Sequence, residues 1–86
     1  MNVAGRRVHL IGIGGVGMAG LAVLLKDLGA RVDGCDKYET PRTRWLARQG
    51  IPVATGHDPR HVVGADYVVV TPAVHPDNPE FRAARR

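Results

Sequence analysis

The apolar positions of this chain change period along the sequence, and the changes predict alternating strands and helices. A short apolar run at 8–13 predicts a first strand that ends among glycines. From Gly17 to Leu28 the spacing becomes helical, and the predicted apolar face consists of Met18, Leu21, Leu24, Leu25 and Leu28. Gly29 is placed to end that helix in a left-handed cap.

The same pattern continues to the end of the chain. It predicts further strands at 31–36, 51–55 and 67–71, and helical segments at 40–50, 58–63 and 78–86. Thr40, Asp58 and Asn78 each precede a proline, which is typical of a helix N-cap. The unbroken apolar run of the fourth strand predicts a strand covered on both faces.

This order of elements predicts one domain over residues 1–86 with an α/β fold. We expect a Rossmann-like three-layer domain, with a mainly parallel sheet of about four strands and helices on both faces. The last helical pattern reaches Arg86 without a C-cap. We therefore expect the fold to be truncated at its C-terminus, as the front of a longer protein.

Composition narrows the class of protein. Twelve basic against eight acidic residues give a net charge of +4, which could attract a phosphorylated ligand. The arginines at 42, 44, 48, 82, 85 and 86 fit solvated helix faces, and no nucleic-acid motif accompanies them. No apolar run approaches the roughly 20 residues of a membrane span. A single cysteine, Cys35, fits a reducing cytoplasm.

A glycine pattern at the first strand–helix junction predicts an anion site. Gly12, Gly14 and Gly17 satisfy G-x-G-x-x-G between a strand and a helix. In this pattern the first glycine allows a tight turn, the second leaves room for phosphate, and the third allows close packing. The amides expected to face a diphosphate are those of Gly14, Gly15, Val16, Gly17 and Met18. The alternative is a tight glycine turn that holds no ligand.

Two further segments should face this loop. Asp36 ends the second strand about 20 residues after the loop, where a carboxylate can accept hydrogen bonds from ribose hydroxyls. The alternative is an ordinary strand-end turn residue, with Lys37 merely exposed. The fourth strand ends in Thr71, Pro72, Ala73 and Val74, which would lie across the ligand because strands one and four flank the crevice.

The remaining reactive residues give no catalytic or metal site on sequence grounds. His9, His57, His61 and His75 are scattered without metal-ligand spacing, so we expect no metal site. His9 should be a hydrogen-bonded residue of a buried strand, and His57 and His61 should be surface residues. Cys35 should be a small buried residue without a base. There is no P-loop, no triad and no carboxylate pair, so we assign no catalytic residue.

Several segments together resemble the N-terminal domain of the Mur ligases, within the subgroup that joins L-alanine to UDP-N-acetylmuramate. They are "HLIGIGGVGMAGLA" (9–22), "GCD" (34–36), "TRWLARQGIPVATGHD" (43–58), "GADYVVVTPAV" (64–74) and "DNPEFRAAR" (77–85). The resemblance covers nearly the whole chain. Cys35 stands where the family usually has serine, and Thr71-Pro72 stands where it usually has two serines.

The resemblance implies a function in peptidoglycan synthesis. This domain would bind the UDP portion of UDP-N-acetylmuramate, with the glycine loop on the diphosphate and with Asp36 and Lys37 near the uridine. In the family a central domain binds ATP and Mg²⁺, and a C-terminal domain receives the amino acid. The substrate carboxylate is activated as an acyl phosphate, which the amine attacks. The 86 residues alone are expected to bind and not to catalyse.

The glycine pattern and Asp36 also fit a different class of protein. An NAD(P)-binding Rossmann module of a dehydrogenase, or of a nucleotide-sensing regulatory domain, would use Gly12, Gly14, Gly17 and Asp36 equally well. The G-x-G-M form of the loop and the D-N-P-E segment favour the sugar-nucleotide hypothesis, because a dinucleotide site does not require them.

Overall fold

The structure, a computed structural model, describes residues 2–71, 74 and 76–85. The described residues form four strands and three α-helices. They are β1 (Arg7–Ile11), α1 (Met18–Asp27), β2 (Arg31–Asp36), α2 (Pro41–Arg48), β3 (Val53–Thr55), β4 (Tyr67–Val69) and α3 (Pro79–Ala84). A short 3₁₀ helix, Pro59–Val62, lies between β3 and β4.

The strands form one parallel sheet in the order β3-β2-β1-β4. β1 pairs with β2 over its whole length and with β4 on its other side, and both pairings are parallel. The strand order therefore reverses at β1, and the carboxyl ends of β1 and β4 lie side by side. This confirms the predicted α/β fold and the predicted pairing of strands one and four.

The sheet separates two unequal layers. Alternate residues of a strand point to opposite faces, so Val8 and Leu10 of β1 lie on one face and His9 and Ile11 on the other. The first face packs on α1 and α2, and its core also includes Ala22. The other face is covered by the 3₁₀ helix and α3, which contact each other. The second layer is thin because both of its elements are short.

The helix ends follow the predicted signals. Gly29 adopts a φ of 94° after α1, and the amide of Ala30 donates to the carbonyl of Leu25 at 3.1 Å, which is a Schellman end. At the start of α2, the Thr40 side chain accepts from the Thr43 amide and the Thr43 hydroxyl oxygen accepts from the Thr40 amide. These bonds satisfy orphan donors of the first turn.

The predicted apolar face of α1 was wrong in part. Leu24 and Leu28 are 55% and 56% exposed, whereas Ala19 and Ala22 are buried with Met18 and Leu25. The helix therefore contacts the sheet with small side chains. Close approach to the sheet favours alanine there, and two of the leucines are left facing solvent.

The fourth strand is shorter and more open than predicted. Only Tyr67–Val69 forms β4, in place of the expected 67–71, and Tyr67 is 39% exposed. Its one pairing partner among the described strands is β1, so it lies at the edge of the sheet. None of its three residues is fully buried, so the prediction of a strand covered on both faces was wrong. None of the described helices has the length and apolar character needed to cross a membrane.

Candidate functional site

The loop between β1 and α1 is a series of tight turns. Gly12 adopts a φ of 76°, which an L side chain disfavours, and its carbonyl accepts from the Gly15 amide at 3.0 Å. The Gly15 carbonyl in turn accepts from the Met18 amide at 3.1 Å. Gly17 is the N-cap of α1 with a φ of 86°. The loop therefore connects the end of β1 to the first turn of α1 by consecutive hydrogen-bonded turns.

Asp36 closes the loop onto the neighbouring strand. Its Oδ2 accepts from the Gly14 amide at 2.8 Å, and its Oδ1 accepts from the Lys37 amide at 2.7 Å. A Cβ at Gly14 would lie 2.8 Å from Asp36 Oδ2 and 2.9 Å from Thr43 Cγ2. The expectation that Gly14 leaves room for phosphate is therefore wrong, because protein atoms fill that space.

Side chains from α2 complete this contact. The guanidinium of Arg42 donates to the Gly14 carbonyl at 2.8 Å, so this arginine reaches the loop and does more than line a solvated helix face. Both backbone polar groups of Gly14 are thus held: Asp36 accepts from its amide, and Arg42 donates to its carbonyl. The loop is fixed before any ligand arrives.

Only part of the predicted anion cradle is open. Of its five amides, those of Gly14, Gly15 and Met18 donate to protein oxygens. The amides of Val16 and Gly17 have no acceptor among the described residues. A Cβ at Gly17 would meet no atom within 4 Å, so its positive φ, and not close helix–strand packing, is what requires glycine there.

A cleft of about 860 Å³ opens beside this loop, and Gly15 and Val16 line it. It brings together most of the predicted binding residues: Gly12, Gly15, Val16, Met18, Asp36, Lys37, Thr71 and Val74. Gly14 and Gly17 do not line it, and Pro72 and Ala73 lie outside the described residues. Residues 77–79 and His57 also line the cleft and were not predicted. The D-N-P-E segment is the sequence signal that could have identified residues 77–79.

Beneath the cleft lies a cluster of buried polar side chains around Glu80. The Glu80 side chain has no solvent exposure, and its Oε1 lies 2.5 Å from His9 Nε2. Its Oε2 accepts from the Cys35 thiol at 2.7 Å and lies 2.8 Å from His57 Nδ1. Burial alone would raise the pKa of Glu80, but the hydrogen bonds from these groups outweigh it and hold the pKa at about 2.

His9 is oriented by a second carboxylate. Its Nδ1 bonds to Asp33, and Asp33 is held by the Arg7 guanidinium at 2.8 Å. Burial would lower the pKa of His9, but hydrogen bonds with Asp33 and Glu80 outweigh burial and raise it to about 8. His9 is 1% exposed, which confirms the prediction of a hydrogen-bonded residue on a buried strand.

The other predictions for this region need correction. His57 and His61 are not simple surface residues, since both side chains are largely buried against Glu80. Cys35 is buried as predicted, but it has basic groups beside it, with His57 Nδ1 3.2 Å from its Sγ. The ligand atoms of His9, Cys35, His61 and Glu80 lie within 4.8 Å of one another. Sequence spacing missed this group because its members come from four separate elements.

Comparison with known proteins identifies the family of this chain. The profile of the Mur ligase family, catalytic domain, matches residues 7–86. This chain belongs to the Mur ligase family. A relative from Syntrophobacter fumaroxidans, named UDP-N-acetylmuramate--L-alanine ligase, is 52% identical over 80 residues, which are 93% of this chain and 17% of that protein.

Solved structures of Mur ligases have the same fold. The UDP-N-acetylmuramate-alanine ligase of Thermotoga maritima matches with a TM-score of 0.86 and 40% identity, covering 92% of this chain and 18% of that one. The UDP-N-acetylmuramate:L-alanyl-gamma-D-glutamyl-meso-diaminopimelate ligase of Neisseria meningitides matches with a TM-score of 0.85 and 33% identity, covering 95% and 26%. The chain therefore spans about a fifth of the length of these Mur ligases.

Proposed function

We propose that residues 1–86 form the domain of a Mur ligase that binds UDP-N-acetylmuramate. The cleft at the carboxyl ends of β1 and β4 carries this proposal, because Val16 and Met18 at the start of α1 line it. The amides of Val16 and the adjacent Gly17 donate to no described protein atom. Free amides and the positive end of a helix dipole favour a diphosphate at that position.

Each part of the ligand has residues that suit it. The diphosphate would bind the Val16 and Gly17 amides, and the exposed ammonium of Lys37 at the cleft rim would attract it. Asp36 already accepts two amides, yet each carboxylate oxygen keeps a further acceptor site for a ribose hydroxyl. Thr71 and Val74, which also line the cleft, would contact the ligand from the side of β4.

The complete reaction would need segments beyond this chain. We propose that the whole protein is an ATP-dependent, amide-forming ligase of peptidoglycan synthesis that joins L-alanine to UDP-N-acetylmuramate, with ATP and Mg²⁺ held outside residues 1–86. Relatives with that printed name support this choice. We place the reaction in the cytoplasm, where ATP is available and Cys35 stays reduced.

A charge placed at Val16 tests the site without disturbing the core. The Val16 side chain is 91% exposed and lines the cleft. In Val16→Glu a carboxylate would face the diphosphate, and we expect UDP-N-acetylmuramate to bind at least about tenfold more weakly by isothermal titration calorimetry. Stability should hold or rise slightly, because a negative charge near the start of α1 suits the helix dipole.

Two controls make the result specific. Val63→Glu adds the same charge at a side chain that is 72% exposed and away from the cleft, and it should leave affinity unchanged. Val16→Gln tests bulk without charge and should weaken binding much less. Titration with NADH addresses the dehydrogenase alternative. Binding of NADH without binding of the uridine sugar, or equal losses in both glutamate variants, would contradict the proposal.

A further inference from the structure

The buried cluster around Glu80 has the composition of a transition-metal site. His9 Nε2, Cys35 Sγ, His61 Nδ1 and a Glu80 oxygen lie within 4.8 Å of one another. In a tetrahedral zinc site, ligand atoms stand roughly 3.3–3.8 Å apart, given bonds of about 2.0–2.3 Å. Shifts on the order of 1 Å would bring these four atoms to that spacing. Such shifts are within reach of side-chain rotation.

One feature of the cluster is unexplained by its hydrogen bonds. His61 Nδ1 is buried and has no hydrogen-bond partner among the described residues, although it lies 3.2 Å from Glu80 Oε1 at an unsuitable angle. A buried imidazole nitrogen without a partner is costly and needs an explanation.

The surroundings of His9 match those of a metal-binding histidine. Such histidines commonly present one nitrogen to the metal and donate the other to a carboxylate, which fixes the ring. His9 presents Nε2 to the cluster and bonds to Asp33 through Nδ1, and Arg7 holds Asp33. Asp33 and Arg7 therefore hold the His9 ring in the orientation that a metal ligand needs.

We propose that His9, Cys35, His61 and Glu80 form a zinc-binding site that links the 3₁₀ helix and α3 to β1 and β2. The mixed nitrogen, sulfur and oxygen ligands suit Zn²⁺ and do not suit Mg²⁺ or Ca²⁺, which prefer oxygen ligands alone. His57, beside Cys35 and open to the cleft, connects the site with solvent.

Binding must release protons. The Cys35 thiol is a hydrogen-bond donor to Glu80, and burial with the Glu80 carboxylate raises its pKa, so it is protonated without metal. Coordination would convert the thiol to a thiolate, and its proton would leave to the buffer. His9 Nε2 would likewise lose its proton to bind through its lone pair. No oxidant or other reactant is needed.

The test uses metal ions alone with the 86-residue chain freed of metal by chelator. Zinc titrated calorimetrically should bind at one ion per chain and raise the Tm. Co²⁺, used as a coloured substitute, should give a tetrahedral visible spectrum and a thiolate charge-transfer band in the near ultraviolet. Absence of zinc binding, or a cobalt spectrum without that band, would overturn the proposal without needing any variant.

Variants then assign the ligands. His61→Ala and Cys35→Ala should each weaken zinc binding at least about tenfold, and Cys35→Ala should abolish the charge-transfer band. His61→Gln repeats the first test if the alanine variant folds poorly. Val63→Ala, just after the same 3₁₀ helix, is the matched control and should bind zinc as the parent does. Zinc affinity unchanged in both ligand variants would overturn the site. None of these outcomes bears on the sugar nucleotide.

Discussion

At the scale of single residues, Gly14 and Asp36 belong to a pattern that is typical of nucleotide binding, yet they also contact each other and stabilise the loop. The missing side chain at Gly14 admits Asp36 Oδ2 and Thr43 Cγ2, and the Asp36 carboxylate takes the Gly14 amide. A carboxylate that the pattern assigns to a ribose thus also fixes the loop. Of the two residues, Asp36 also lines the cleft and Gly14 does not.

We expect Gly14→Ala and Gly20→Ala to change stability in opposite directions. The new Cβ at Gly14 would lie within 3 Å of Asp36 and Thr43, and Asp36 would have to move, at a cost of about 1–3 kcal/mol. Gly20 is exposed in α1 with nothing within 4 Å of its Cβ, so alanine should add about 0.5–1 kcal/mol. Urea unfolding measures both. Equal effects would show that the contacts at Gly14 are not restrictive.

At the scale of elements, sequence periodicity gave the order of strands and helices and their caps, because glycine, proline and hydroxyl signals act locally. It did not give the buried face of α1. Leu21, Leu24 and Leu28 share a hydrophobic pattern with Leu25, yet the distance between helix and sheet decides which side chains fit. Alanines 19 and 22 pack there, and nothing in the period distinguishes them from exposed alanines.

Adjacent leucines of α1 should therefore differ sharply. Leu25 is 6% exposed, and Leu25→Ala should cost about 2–5 kcal/mol of unfolding free energy because it leaves a cavity. Leu24 is 55% exposed, and Leu24→Ala should cost less than about 1 kcal/mol, since alanine also favours helix. Thermal or urea unfolding of the pair is the measurement. A large loss of unfolding free energy in Leu24→Ala would instead support the apolar face of α1 that the periodicity predicts.

At the scale of the whole molecule, the cleft could be predicted and the Glu80 cluster could not. The rule that ligands lie beyond the carboxyl ends of strands needs only the order of strands, which a local pattern supplies. His9 and Glu80 are 71 residues apart and meet only because α3 returns across the sheet. Helix N-caps predict that α3 exists, but its packing against the 3₁₀ helix depends on tertiary contacts that no local signal encodes.

The two layers should also differ in local stability. The described apolar core lies on the α1 and α2 side of the sheet, whereas the 3₁₀ helix has no fully buried residue and α3 has only Glu80. In the presence of chelator, we expect amides of α3 to exchange with deuterium at least about tenfold faster than those within β1 and α1, through opening of this layer alone. Mass spectrometry of peptides covering 18–27 and 79–85 measures the difference. Equal protection would mean that both layers unfold as one unit. A thin layer held by one polar cluster should open first, because apolar burial supplies most of the free energy that resists opening.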